Sequence, residues 1–210
     1  MRRSAIVLTC LALLGAVNQA KAQATYSLSV SRHVSIPFSE QQVDDILAAA
    51  SKMLQKVNHP DDLACNVTFK RIGPIQTFTS PNREAVIRNE SDRDAVHREN
   101  FDSSVINVKI VKEIDYCRPP FKSFFGCSWP HRFHSIIVVA DQQFPQLVWP
   151  HEFGHQTGLW HRKPLKEALM SPCTLQTDNV QVTKRECECF NKGPGGCSNI
   201  PEPDPPVGCR

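Results

Sequence analysis

Residues 151–161 read HEFGHQTGLWH, and the spacing of their side chains defines a chemistry. His151 and His155 are four apart. On a helix they project from one face, one turn apart, and both can reach a single Zn2+ at about 2.0–2.1 Å. Glu152 follows the first histidine and can lie beside the ion without ligating it. Gly158, three residues past His155, takes a left-handed conformation cheaply, so the helix can stop and the chain can turn back. That turn brings His161 to a third ligand position. Three neutral imidazoles leave a fourth position for water and leave the ion its full formal charge. The charge lowers the pKa of bound water toward about 7. Glu152 can then act as general base, directing attack on a peptide carbonyl whose developing oxyanion the ion stabilises, and can return the proton to the leaving amine.

HExxH by itself also fits a solvated, His-rich helix end. Gly158 and His161 in register make that reading poor. A second check lies downstream, where residues 167–172 read EALMSP. After residue 22 the chain has two methionines, Met53 and Met170. Met170 falls nine residues past His161, in a turn ending at Pro172. HExxHxxGxxH with a downstream methionine turn resembles the metzincin zinc endopeptidases, and HEFGHQTGLWH followed by EALMSP is most similar to their matrixin branch. The resemblance is specific over about residues 145–175.

The resemblance implies that His151, His155 and His161 hold one catalytic Zn2+ and that Glu152 is the general base. It implies that Met170 floors the site without ligating and that Pro172 helps wall the pocket beside the cleaved bond. It also implies an α+β fold: a metzincin-like twisted mixed β-sheet packed on an N-terminal helix and an active-site helix, with a small C-terminal part and a Cys-rich tail. An edge strand of such a sheet would pair with the substrate's backbone. Three features depart from the matrixin pattern. No cysteine lies between residue 22 and the first expected helix, so the matrixin latency device is missing. Ser171 stands where some metzincins carry a ligating tyrosine. The eight cysteines and Pro-rich tail exceed a minimal matrixin domain.

Outside the motif, the 210-residue chain opens with MRRSAIVLTCLALLGAVNQAKA. Arg2 and Arg3, the apolar run Ala5–Val17 and Ala20-Lys21-Ala22 have the form of a secretory signal peptide over 1–22, too short to span a bilayer. Cys10 lies inside the apolar run rather than at its end, which argues against a lipid anchor. The leader carries Arg2, Arg3 and Lys21 and no acid, so the net charge of +3 falls to zero without it. Nucleic acid and anionic membranes are therefore poor partners on charge grounds, and no later segment approaches the roughly 18 apolar residues of a span. Removing Cys10 leaves Cys65, Cys117, Cys127, Cys173, Cys187, Cys189, Cys197 and Cys209. An even number behind a leader reads as disulfides in an oxidising compartment, in any of 105 pairings. The rival is a cysteine zinc site, but Cys187-Glu188-Cys189 is spaced more tightly than usual for one.

The elements that must position the motif are mostly legible. Tyr26, Leu28 and Val30 alternate as a strand. Ser39 with Gln42 is a capping signature for a helix of about 40–57, with Val43, Ile46, Leu47, Ala50, Met53, Leu54 and Val57 on its apolar face. CNVTFKRI (65–72) reads as a strand, and 80–103 as loop with a short helix. VINVKIVKEI (105–114) alternates as a strand, while SIIVVA (135–140) suits a strand buried on both faces. CRPPFKSFFGCSWP between them reads as a loop pinned by Cys117 and Cys127. The active-site helix should start near Gln146, with Pro145 and Pro150 at or near its first turn. A last helix is expected from Thr177–Asp178 to about Cys189, with Val180, Lys184 and Cys187 on one face. A Cys/Pro-rich tail follows over 191–210, tied down by its two cysteines.

Smaller features carry less. Trp149 and Trp160 read as packing residues, and His131 and His134 near Asp141 as a surface loop. Asn66-Val67-Thr68 and Asn89-Glu90-Ser91 are glycosylation sequons in a eukaryotic secretory pathway. A thermolysin-like site would take a glutamate as third ligand, with Glu167 and Glu186 the candidates. A secreted zinc-binding or inhibitory protein would need no Glu152. The expected protein is a secreted zinc-dependent endopeptidase, periplasmic if bacterial, with its catalytic domain over 23–190. It is expected to act as a monomer on protein or peptide substrates.

Overall fold

The first helix shows how directly the pattern sets the fold. In the computed structural model, α1 (Glu40–Gln55) begins at Ser39, whose hydroxyl accepts from Gln42 N–H at 3.2 Å while Gln42 Oε1 accepts from Ser39 N–H at 2.8 Å. This is the reciprocal capping expected from the sequence. Val43, Leu47, Ala50, Met53 and Leu54 are buried against the sheet. The structure describes residues 23–56, 64–117, 124–128, 134–162, 168–171 and 180–197. The leader 1–22, Val57, His131, Glu167, Pro172, Cys173, Cys209 and most of the tail lie outside them.

The main sheet is mixed and six-stranded. Its path runs from β2 (Val67–Arg71) through β1 (Ala24–His33), β5 (Ile106–Val111) and β8 (Ser135–Val139) to β7 (Gly126–Ser128), while β3 (Gln76–Phe78) also pairs with β1. All of these pairings are parallel except the last, where β7 lies antiparallel on β8 with Cys127 opposite Ile137. One face packs on α1, on α3 (Pro145–Gln156) and on α4 (Lys184–Lys192). The other packs on α2 (Glu90–Arg98) and on a small parallel ladder of β4 (Val86–Ile87) with β6 (Glu113–Ile114).

Four expectations need correction. The segment 105–114 is not one half-solvated strand. β5 is buried on both faces and ends at Val111, and Glu113–Ile114 turns away to pair with β4. The stretch bracketed by Cys117 and Cys127 is not all loop, because its last residues form β7. Pro145 does open α3, but Pro150 sits inside the helix, past the first turn where a missing N–H costs little. The last helix does not run from 177 or 178. Val180 and Val182 lie outside any helix, Gln181 bridges Ala168, and α4 starts after Thr183. There a Thr183–Glu186 capping box fixes the helix start.

Among the described residues, disulfides join Cys65 to Cys187, Cys117 to Cys127 and Cys189 to Cys197. Cys187 and Cys189 pair with different partners, which removes the reading of Cys187-Glu188-Cys189 as a zinc clasp. Among the described residues no helix is long and apolar enough to cross a membrane.

Lys109 explains how a charged residue enters the middle of a buried strand. It is 1% exposed, and its ammonium donates to the carbonyls of Glu99 and Asn100 just past the end of α2. A cation at a helix C-terminus is favourable. Burial nevertheless pulls its pKa down to about 8, opposed by the charge of Glu99. Below pH 8 both folded and unfolded chains carry this proton. Between about 8 and the unfolded value of 10.5 the folded chain releases it first, so the Lys109 contribution makes stability rise with pH. Denaturant titrations of wild type and Lys109→Met are expected to show this rise, on the order of 3 kcal/mol at most, in the wild type alone. Parallel curves for the two proteins would sink the assignment.

Candidate metal centre and active site

The site is built at the C-terminal end of α3. The helix closes in a Schellman arrangement: Leu159 N–H donates to Gly154 O at 3.1 Å and Gly158 N–H to His155 O at 3.0 Å. Gly158 takes φ 100°, which side-chain-bearing residues rarely adopt. The two carbonyls that follow, those of Gln156 and Thr157, accept from Gly195 N–H at 2.8 Å and Cys197 N–H at 2.9 Å. The disulfide-held segment after α4 thus caps the helix that carries the motif.

The chain reverses at Gly158 and brings three rings together. Candidate ligand atoms of His151, His155 and His161 lie within 4.8 Å of one another. Ring centroids are 4.9 Å apart for His151–His155, 5.3 Å for His151–His161 and 4.7 Å for His155–His161. His155 Nε2 is 3.2 Å from His161 Nε2, close to the ~3.3 Å between two imidazole nitrogens sharing one tetrahedral zinc. The Nδ1 atoms of His151 and His155 are engaged. His151 Nδ1 donates to Leu169 O at 2.6 Å and His155 Nδ1 to Leu159 O at 2.8 Å. Those bonds put the proton on Nδ1 and leave the Nε2 lone pair for a metal. Burial also lowers the His151 pKa, although its bond to Leu169 pulls the other way. The donor set therefore fits a single zinc ion.

Glu152 is buried beside this cluster at 5% exposure. Its backbone carbonyl accepts from Ser128 Oγ at 2.9 Å. Its carboxylate lies against Gly126 of β7, where a Cβ would overlap it. An edge strand without a side chain at this position leaves room for the glutamate. Met170 is fully buried under α3, and a Cβ on Gly154 would stand 2.5 Å from its Sδ. The turn that carries Met170 also presents the Leu169 carbonyl to His151.

The structure thus places His151, Glu152, His155, Gly158, His161 and Met170 in one region, and Pro172 lies outside the described residues. Glu186 is not near the role of third ligand. It caps α4 and pairs with Arg162 at 3.1 Å. Trp149 is a packing residue at 3% exposure, and Trp160 is half-buried. His134 sits in an exposed turn, and Asn89 caps α2 with its side chain. Sequence reasoning missed Gly126, Ser128, Gly195 and the backbone bond from Cys197 to α3. All four residues lie in segments read as loop or tail.

The mixed sheet with its antiparallel edge strand, and the helices packed on it, match a metallopeptidase fold. Archaemetzincin from Methanopyrus kandleri has this fold. It superposes with a TM-score of 0.51 at 17% identity, over 82% of this chain and 96% of that one. Metalloproteinase-II from Bacteroides fragilis gives a TM-score of 0.49 at 15% identity, over 83% of this chain and 55% of that one. No protein-family model matches the sequence, and no curated protein sequence matches it.

Proposed function

We propose that this chain is a zinc-dependent endopeptidase of metzincin type, closest in its motif to the matrixin branch. The observation that carries the reading is the three-histidine cluster with buried Glu152 beside it, on a metallopeptidase fold. His151, His155 and His161 would hold the ion, which supplies a Lewis acid that acidifies water and polarises a carbonyl. The chain's own residues do the rest. Glu152 accepts a proton from the attacking water and returns it to the leaving amine. Met170 packs beneath the histidines. An extended peptide would lie along β7, whose outer edge has no strand partner among the described residues and runs past Glu152.

The leader signature and the disulfides support secretion of a catalytic domain over 23–190. The first part of the tail serves that domain, since Gly195 and Cys197 cap α3. The substrates are proteins or peptides, and the enzyme acts as a monomer.

The test is zinc content together with cleavage of an unfolded protein substrate, before and after chelation. About one zinc per chain is expected, with cleavage lost on chelation and restored by zinc. Full zinc occupancy without cleavage would favour a zinc-binding protein instead. Absence of zinc binding would overturn the reading of the histidine cluster.

A further inference from the structure

Arg162 directly follows His161, and it is held from several directions. Its backbone N–H donates to Met170 O at 2.8 Å. Its guanidinium donates to Gln181 Oε1 at 3.1 Å and to Gln181 O at 3.0 Å, and its Nε lies 3.1 Å from Glu186 Oε1. The Gln181 carbonyl also accepts from Leu169 N–H at 3.1 Å. Leu169 in turn supplies the carbonyl that orients His151. One carbonyl therefore stands between the residue after the third histidine and the turn that aims the first.

We propose that Arg162, clamped by Glu186, is a positioning residue for the metal centre: it fixes the backbone that delivers His161 and, through Gln181 and Leu169, the orientation of His151. This rests on the zinc reading above. It adds that metal affinity is set partly from α4, by residues that touch no metal.

The residue types fit the task. Arginine's planar fork holds a fixed charge and serves several acceptors at once, where a lysine is a point donor. Glu186 divides its oxygens: Oε2 accepts from Thr183 N–H at 2.7 Å while Oε1 faces Arg162. Glu186 is 5% exposed, and the Arg162 side chain 23%. A largely desolvated ion pair contributes little net stability compared with an apolar replacement, so geometry is the better account of its presence. The helix beneath it is anchored on both sides, by Cys187 to Cys65 and by Cys189 to Cys197.

The test compares zinc affinity in the full chain, by competition with a chromophoric chelator at a temperature where circular dichroism shows each metal-free variant folded. Arg162→Met and Glu186→Gln are each expected to weaken zinc binding about 10- to 100-fold, the range for residues that orient ligands. Arg162→Lys should lose less. The double variant Arg162→Met/Glu186→Gln should lose no more than the worse single one, because the two act as a unit. The cobalt-substituted absorption spectrum should shift as well. A purely structural role would lower the melting temperature of metal-free protein and leave affinity and spectrum alone. If both single variants bind zinc within about twofold of wild type, the proposal is overturned and the zinc reading stands. A wild type that binds no zinc overturns both. Should Arg162→Met fail to fold, Glu186→Gln decides, since glutamine keeps the shape and can still cap Thr183.

Discussion

Glu152→Gln is expected to retain one zinc per chain and to cleave peptide at least about 10³-fold more slowly than wild type. General acid–base groups contribute about 10²- to 10⁴-fold, and this one would serve both proton transfers. Glutamine is the informative change because the position is crowded. The side chain fills the space between α3 and Gly126, and only the missing Cβ of Gly126 makes that space available. Alanine would leave a void there and mix a packing defect with the chemical one. Glutamine keeps the volume, and the Ser128 bond to the residue's backbone carbonyl is untouched. It removes only the basic oxygen. The measurement is kcat/KM on an internally quenched peptide, with zinc stoichiometry and melting temperature on the same preparations. A variant that keeps full zinc and a tenth of the rate would mean that the proton is taken elsewhere. A variant that loses zinc would mean that Glu152 helps assemble the ligand set.

The contrast between Glu152 and Gly126 also shows what the sequence makes legible. The proposed ligands, the proposed base and the turn glycine lie in eleven consecutive residues, and their arrangement depends on helix periodicity and one positive φ. Both are local and can be read from spacing. The groups that support them come from far along the chain. Gly126 is 26 positions before Glu152, Leu169 is 18 after His151, and Gly195 reaches back 39 positions to Gln156. No periodicity connects such pairs. Lys109 is a related case. A lysine in an alternating strand suggests a solvated face, yet α2 covers that face, and the carbonyls after its last turn accept the ammonium. β7 was hidden because three residues flanked by Pro and aromatics carry little strand signal and depend on β8 for their conformation. The start of α4 is different, because Thr183 and Glu186 spell a capping box in the sequence itself. That signal was present and outweighed the 177–178 start.

Replacing Cys65 and Cys187 together by alanine is expected to cost about 5 kcal/mol of stability, roughly 10–20 °C in melting temperature for a chain of this size. The bond joins residues 122 apart and so closes most of the chain into one loop. Restricting the unfolded chain by a loop of that length is worth about 5 kcal/mol, against about 3 for the ten-residue separation of Cys117 and Cys127. The two double variants should differ in that order under non-reducing conditions, with the Cys117/Cys127 pair the milder. Their effects on the metal should differ more sharply. Cys187 adjoins Glu186 on α4, and Cys65 accepts and donates backbone bonds where the chain passes from α1 to β2. Losing this bond loosens the helix whose carboxylate holds Arg162. Zinc affinity of the still-folded protein should therefore fall with the Cys65/Cys187 pair. The Cys117/Cys127 variant should instead keep its zinc and lose turnover, since that bond anchors β7 beside Glu152 rather than the histidines. Equal losses of stability would argue against the chain-entropy account here. Equal losses of zinc would argue that the centre responds to overall destabilisation and not to α4.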